Sequence, residues 1–123
     1  MATPQTVAVL GASSKPDRYS NKAIRMLKEH GHNVIPVNPV ENEIEGFAVV
    51  HDLSAIKVAV DTLTIYVNPA RGEQLIADMI RLKPGRVILN PDTESEKIEE
   101  ALHRAGIPVL RACTMVLLRT NQF

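Results

Sequence analysis

Short apolar runs punctuate the chain, and between them apolar positions recur at helical spacing. The runs are Thr6-Val7-Ala8-Val9-Leu10, Asn33-Val34-Ile35-Pro36-Val37, Phe47-Ala48-Val49-Val50, Thr62-Leu63-Thr64-Ile65-Tyr66-Val67, Arg86-Val87-Ile88-Leu89 and Ile107-Pro108-Val109-Leu110. Most are apolar at successive rather than alternate positions, as strands of a parallel sheet covered on both faces should be. Pro36 and Pro108 cannot donate to a ladder, so they are expected near strand starts or edges.

The intervening segments predict helices. Residues 20–30 carry Ala23, Ile24 and Leu27 on one face, and Gly31 is a stop signal. Residues 69–82 carry Leu75, Ile76, Met79 and Ile80 on one stripe, with Asn68 as the N-cap and Pro69 at the first helical position. Thr93-Glu94-Ser95-Glu96 has the spacing of a capping box, followed by Ile98, Ala101, Leu102 and Ala105, with Gly106 as the terminator. A short turn is expected over 54–57 and a terminal helix over 113–119. The alternation predicts an α/β fold: a Rossmann-like, doubly wound parallel sheet in a single three-layer α/β/α domain. The expected order of the runs across the sheet is 3-2-1-4-5-6.

The length, 123 residues, suits one core, and the net charge is zero, with 14 basic and 14 acidic residues. No global field therefore favours nucleic acid or an anionic membrane surface, and with aromatics at 3% a base-stacking platform is not expected. The single cysteine, Cys113, excludes an internal disulfide framework and a cysteine-rich zinc site, and suits a reducing compartment. No signal-peptide core is seen, and no run reaches the roughly 18 apolar residues of a membrane span. A soluble, cytoplasmic protein is expected.

In this fold class ligands bind beyond the carboxyl ends of the strands, where the strand order reverses. That rule selects the loop Gly11-Ala12-Ser13-Ser14-Lys15-Pro16-Asp17-Arg18, which leads from the first run into the first helix. Gly11 permits close backbone approach, Ser13 and Ser14 offer hydroxyls, and the helix start offers free N–H groups. Lys15, Arg18, Lys22 and Arg25 against Asp17 alone bias the segment toward an anion such as a pyrophosphate. Alternatively, Gly11 serves only a tight turn and the basic residues are a solvated face. The loop is neither G-x-G-x-x-G nor a P-loop, since Ser13 and Pro16 depart from the first and Gly-Lys-Ser/Thr is missing. The second run ends in Asn38-Pro39, without the carboxylate that a nicotinamide dinucleotide site usually places there. Asn38 and Pro39 read equally as a turn. Val67, Asn68 and Pro69 face this loop across the expected crevice, where Asn68 and Pro69 also serve as a helix cap. His30, His32, His51 and His103 are scattered without metal-ligand spacing, and no acid–base pair stands out.

At these residues the sequence resembles the small single-domain CoA-binding proteins, which are similar to the CoA-binding domain of the succinyl-CoA synthetase alpha subunit. The resemblance rests on residues 9–18 and 31–39, with support from Glu43-Ile44-Glu45-Gly46, Tyr66-Val67-Asn68-Pro69, residues 105–109 and Cys113. It implies that residues 1–123 form one Rossmann-like domain binding coenzyme A or an acyl-CoA through its ADP moiety. The pyrophosphate would lie on Gly11, Ala12, Ser13 and Ser14, with Lys15 and Arg18 near phosphates. Asn38 and Pro39 would border the adenosine, and Val67, Asn68 and Pro69 would form the far wall. Where the family usually carries an aromatic-x-Gln run and a glycine, this chain has Ile88-Leu89-Asn90-Pro91-Asp92.

The function expected is non-catalytic and regulatory binding of a small nucleotide ligand, without nucleic acid or membrane, in a homo-oligomer or beside a partner enzyme. The second reading is an NAD(P)-binding oxidoreductase domain or subunit. A third is an interaction subunit with a vestigial crevice.

Overall fold

The computed structural model describes residues 3–123. A five-stranded parallel sheet runs through it in the order β2-β1-β5-β6-β7. The strands are β1 (Thr6–Leu10), β2 (Asn33–Val37), β5 (Thr62–Ile65), β6 (Arg86–Leu89) and β7 (Val109–Arg111). A small antiparallel hairpin, β3 (Glu43–Ile44) and β4 (Phe47–Ala48), stands outside it. The helices are α1 (Tyr19–Glu29), α2 (Pro69–Gln74), α3 (Ile76–Leu82), α4 (Glu96–Arg104) and α5 (Thr114–Arg119), with a 3₁₀ turn at Leu53–Ala55.

Alternation along the strands divides the core into two layers. Val7 and Val9 pack with Ile24, Leu27 and Leu118, on the α1 and α5 side. Ala8, Leu10, Leu63 and Ile65 pack with Met79, Ile98 and Leu102, on the side of α3 and α4. The central strands β1, β5 and β6 are therefore dry on both faces, which explains their unbroken apolar runs. The fold is the expected Rossmann-like α/β domain.

The order across the sheet follows the expectation, but the third run joins it by a single bridge rather than as a strand. Glu45 and Gly46 both have positive φ, 52° and 85°, and close a two-residue hairpin turn that folds Phe47–Ala48 back on Glu43–Ile44. Only Val50 reaches the main sheet, as a parallel bridge to Val37. Its N–H donates to the Pro36 carbonyl and its carbonyl accepts from Asn38 N–H, both at 3.0 Å. Pro36 thus lies on the outer side of an edge strand, and Pro108 directly precedes β7.

The helix ends show where side-chain chemistry overrode simple spacing. At the end of α1, His32 N–H bonds Leu27 O and Gly31 N–H bonds Lys28 O, both at 3.0 Å, which is the Schellman pattern. The helix expected over 69–82 breaks at Leu75 into α2 and α3, and the break turns Ile80 outward to 38% exposure. Asn68 caps α2 as expected, accepting Arg71 N–H at 2.8 Å. The capping box at Thr93 does not form. Ser95 caps α4 instead by accepting Ile98 N–H, because Thr93 Oγ1 is bound to Asn90 O at 2.8 Å in the preceding turn.

Candidate functional site

The loop after β1 folds around its own backbone and leaves a crevice at the carboxyl ends of β1 and β5. Gly11, with φ of +86°, makes the first bend. A Cβ there would lie 2.9 Å from Val67 Cγ1 and 3.0 Å from the Tyr66 carbonyl, so the exit of β5 itself requires a glycine. Ala12 N–H then closes on Val37 O at 3.1 Å, and Lys15 N–H on Ser13 Oγ at 3.1 Å. Arg25 braces the loop through Pro16 O at 2.7 Å, and Asn21 Nδ2 does so through Ser13 O at 2.9 Å.

α1 begins at this crevice without a side-chain cap, so no N-cap side chain occupies its first-turn N–H groups at the positive end of its dipole. Lys15 and Arg18 stand at the same place and make no ion pair among the described residues. The crevice measures about 530 Å³, and its lining includes Gly11, Ser13, Asn38, Glu41, Tyr66 and Asp92.

Of the residues selected from the sequence, Gly11, Ser13, Lys15, Arg18, Asn38, Val67 and Asn68 meet around this space. Ala12 is buried behind the loop, and Ser14 turns its N–H to the Glu41 carboxylate at 3.2 Å. Pro39 lines a neighbouring 250 Å³ pocket with Leu10, Val37, His51, Leu53 and Val67, while Pro69 serves at the start of α2. Asn38 does two jobs in place. Its Oδ1 accepts the N–H groups of Val40 and Glu41 at 2.8 and 2.9 Å, and its Nδ2 donates to Ala12 O at 2.9 Å.

That Asx turn brings in a group the sequence reading passed over. The second run ends without a carboxylate, but Glu41, three residues past Asn38, enters the crevice. Asn-Pro-x-Glu was the available signal, because an Asx turn carries the third residue back over its start.

A second cavity of about 280 Å³ adjoins the first through Tyr19, Tyr66, Pro91 and Asp92, and reaches Cys113 and Met115. The Tyr66 hydroxyl is buried there and makes no hydrogen bond among the described residues. Burial, with Cys113 close by, pushes its pKa up, so the phenol keeps its proton. Beneath it, Thr64 and Thr114 share a hydrogen bond at 2.8 Å, and Asn90 Nδ2 donates to Thr64 Oγ1 at 2.6 Å. Asn90 is thus buried in the framework, with its amide engaged by Thr64, Ile65 and Thr114. Pro91 and Asp92 form the following turn, with Asp92 at φ of +74°.

The histidines stay apart. His30 bonds Met26 O, His51 bonds Asn42 Oδ1, and His103 is exposed. His32 is 4% exposed and accepts Gln5 N–H at Nδ1. Among the described residues no cluster of histidine, cysteine and carboxylate side chains has the geometry of a metal site, and no helix is long and apolar enough to cross a membrane.

The family model of the CoA binding domain matches residues 5–119. The chain belongs to the CoA-binding domain family. The crystal structure of an uncharacterized protein of 37% identity superposes with a TM-score of 0.92, covering 99% of this chain and 100% of that one. The Bacillus subtilis protein YneT is 35% identical over 69 residues, 56% of this chain and 49% of its own. The alpha subunit of ADP-forming acetate–CoA ligase II from Pyrococcus furiosus is 26% identical over 96% of this CoA-binding domain, which spans 28% of that subunit. The chain therefore spans about half of one curated relative and just over a quarter of the other.

Proposed function

We propose that this chain binds coenzyme A or an acyl-CoA through its ADP moiety, as a non-catalytic module with a regulatory role. The observation that carries the reading is the uncapped start of α1 beside Lys15 and Arg18, neither of which has an ionic partner among the described residues. Amide hydrogens, a helix dipole and two free cations converging on one crevice suit a diphosphate.

The diphosphate would lie over Gly11 to Ser14, with Lys15 and Arg18 on its oxygens. Ala12 would serve only as packing behind it. Asn38 and Pro39 would border the adenosine, and the apolar pocket between Val37 and Val67 has room for adenine. Val67, Asn68 and Pro69 would make the far wall. The pantetheine arm would then run past Tyr66 toward Cys113. Among the described residues no histidine lines this crevice, and the reading is of binding rather than chemistry. The ligase relative is a subunit, so a partner enzyme is a natural recipient of such a module.

Isothermal titration with CoA, dephospho-CoA and NAD tests the reading. Binding of CoA in preference to NAD supports it. Indifference to all three, with no nucleotide released from natively purified protein in a mass spectrum, removes it.

A further inference from the structure

The crevice already holds an anion of its own. Glu41 Oε2 accepts Ser14 N–H at 3.2 Å and lies 3.4 Å from Asn38 Nδ2. The carboxylate therefore occupies a backbone donor of the loop that, on the reading above, holds the ligand diphosphate. A carboxylate oxygen on a loop amide makes the charge-assisted contact that a phosphate oxygen would make. Both groups cannot hold the same N–H in one geometry.

The local structure lets this carboxylate leave at little cost. Asn38 Oδ1 fixes the backbone of Glu41 through its N–H at 2.9 Å, independently of the side chain. The hairpin beyond is held separately, by Asn21 Nδ2 on Glu45 Oε2 at 3.2 Å and Lys28 Nζ on Glu45 O at 2.9 Å. Rotation of the Glu41 side chain alone frees Ser14, with the segment around it in place. Neither Lys15 nor Arg18 holds the carboxylate within ion-pair distance. The two cations remain available to an incoming ligand while the amide is blocked.

Resting on the CoA reading, we propose that Glu41 is an internal competitor for the phosphate loop and selects ligands by their anionic charge. A diphosphate, with several oxygens and both cations to draw on, displaces the carboxylate. A nucleoside without phosphate does not reach Ser14 and leaves it in place.

The test is isothermal titration of wild type, Glu41→Ala and Glu41→Gln with CoA, ADP and adenosine, with melting temperatures as the control for folding. Losing the competitor should tighten CoA and ADP by about five- to tenfold in Glu41→Ala and by less in Glu41→Gln, the scale of one charge-assisted hydrogen bond. Adenosine affinity should not move. In wild type, CoA should also shift the Ser14 amide resonance and the Glu41 side-chain resonances together. If wild type binds CoA and the variants bind it equally or more weakly, Glu41 is not a competitor, while the CoA reading stands. Equal tightening of adenosine overturns the proposal in the same way. Silence of all three proteins toward CoA overturns the functional reading and this inference with it.

Discussion

Asn90 and Thr114 are joined across the sheet: Asn90 Oδ1 accepts the Thr114 backbone N–H at 2.9 Å, at the start of α5. The same amide donates to Thr64 Oγ1 at 2.6 Å and to Ile65 O at 2.9 Å. One buried side chain thus ties β5, the exit of β6 and α5 together below the cavity that contains Cys113. Replacing it by Ala would strand a buried N–H and a buried carbonyl. Asn90→Ala is expected to cost about 2–4 kcal/mol of stability, read from the midpoint of urea unfolding. A loss below about 0.5 kcal/mol would mean that water or a neighbouring group replaces all three bonds.

Gly11 is required by the chain whether or not a ligand is bound. Its positive φ and its contact with the β5 exit both exclude a side chain. Gly11→Ala should lose about 2–4 kcal/mol, combining backbone strain with overpacking against Val67. The loss should be present without any nucleotide. Wild-type stability together with lost CoA binding would assign the glycine to ligand approach instead.

The turn at Asn90–Thr93 places Asp92 where glycine is usual, with Thr93 N–H closing on Asn90 O at 3.0 Å. Asp92→Gly should leave stability unchanged or raise it by up to about 1 kcal/mol, and Asp92→Val should lower it by about 1–2 kcal/mol. Thermal melts of the pair decide the matter. The reverse ranking would show that Asp92 makes a compensating contact.

His32 gives stability a pH dependence. Burial, aided by the nearby charges of His30 and Arg86, holds its imidazole below the ordinary 6.5. The unfolded chain therefore binds more protons than the folded one below that pH, so stability is full above it and falls as the medium is acidified from about pH 7 toward pH 5. His32→Gln, which keeps an acceptor for Gln5 N–H, should flatten that slope. Identical slopes for the two proteins in denaturant titrations across this range would rule out His32 as the source.

Lys15 and Arg18 are exposed and lack ionic partners among the described residues, so their removal should spare the fold. Lys15→Ala and Arg18→Ala should each weaken CoA by about 1–2 kcal/mol, and the double variant should lose much of the salt dependence of binding. Unchanged affinity would return both side chains to solvent.

The fold was legible because its central strands are dry on both faces. Val7–Leu10 and Leu63–Ile65 need partners above and below, and only a covered parallel sheet supplies them. The loop at 11–18 was legible from its place between strand and helix and from its basic bias. What stayed hidden depends on side chains competing for the same backbone groups. The expected cap at Thr93 was lost to a bond with Asn90 O, and the third strand was lost to a tight turn at Glu45–Gly46. The role of Asn90 stayed hidden because sequence gives a side chain's chemistry but not its direction. Glu41 was missed because its approach needs the Asx turn, a contact of a few residues that leaves no periodicity.

Pro36 also limits how the molecule can be extended. With Val50 already seated against it and no hydrogen on its nitrogen, the β2 flank offers an incoming chain no continuous ladder. Growth of the sheet is left to the opposite margin, along Val109–Arg111, where polar main-chain groups still face outward. Any assembly that lengthens this sheet must add its strand there, on the far side from Asn38 and Pro39.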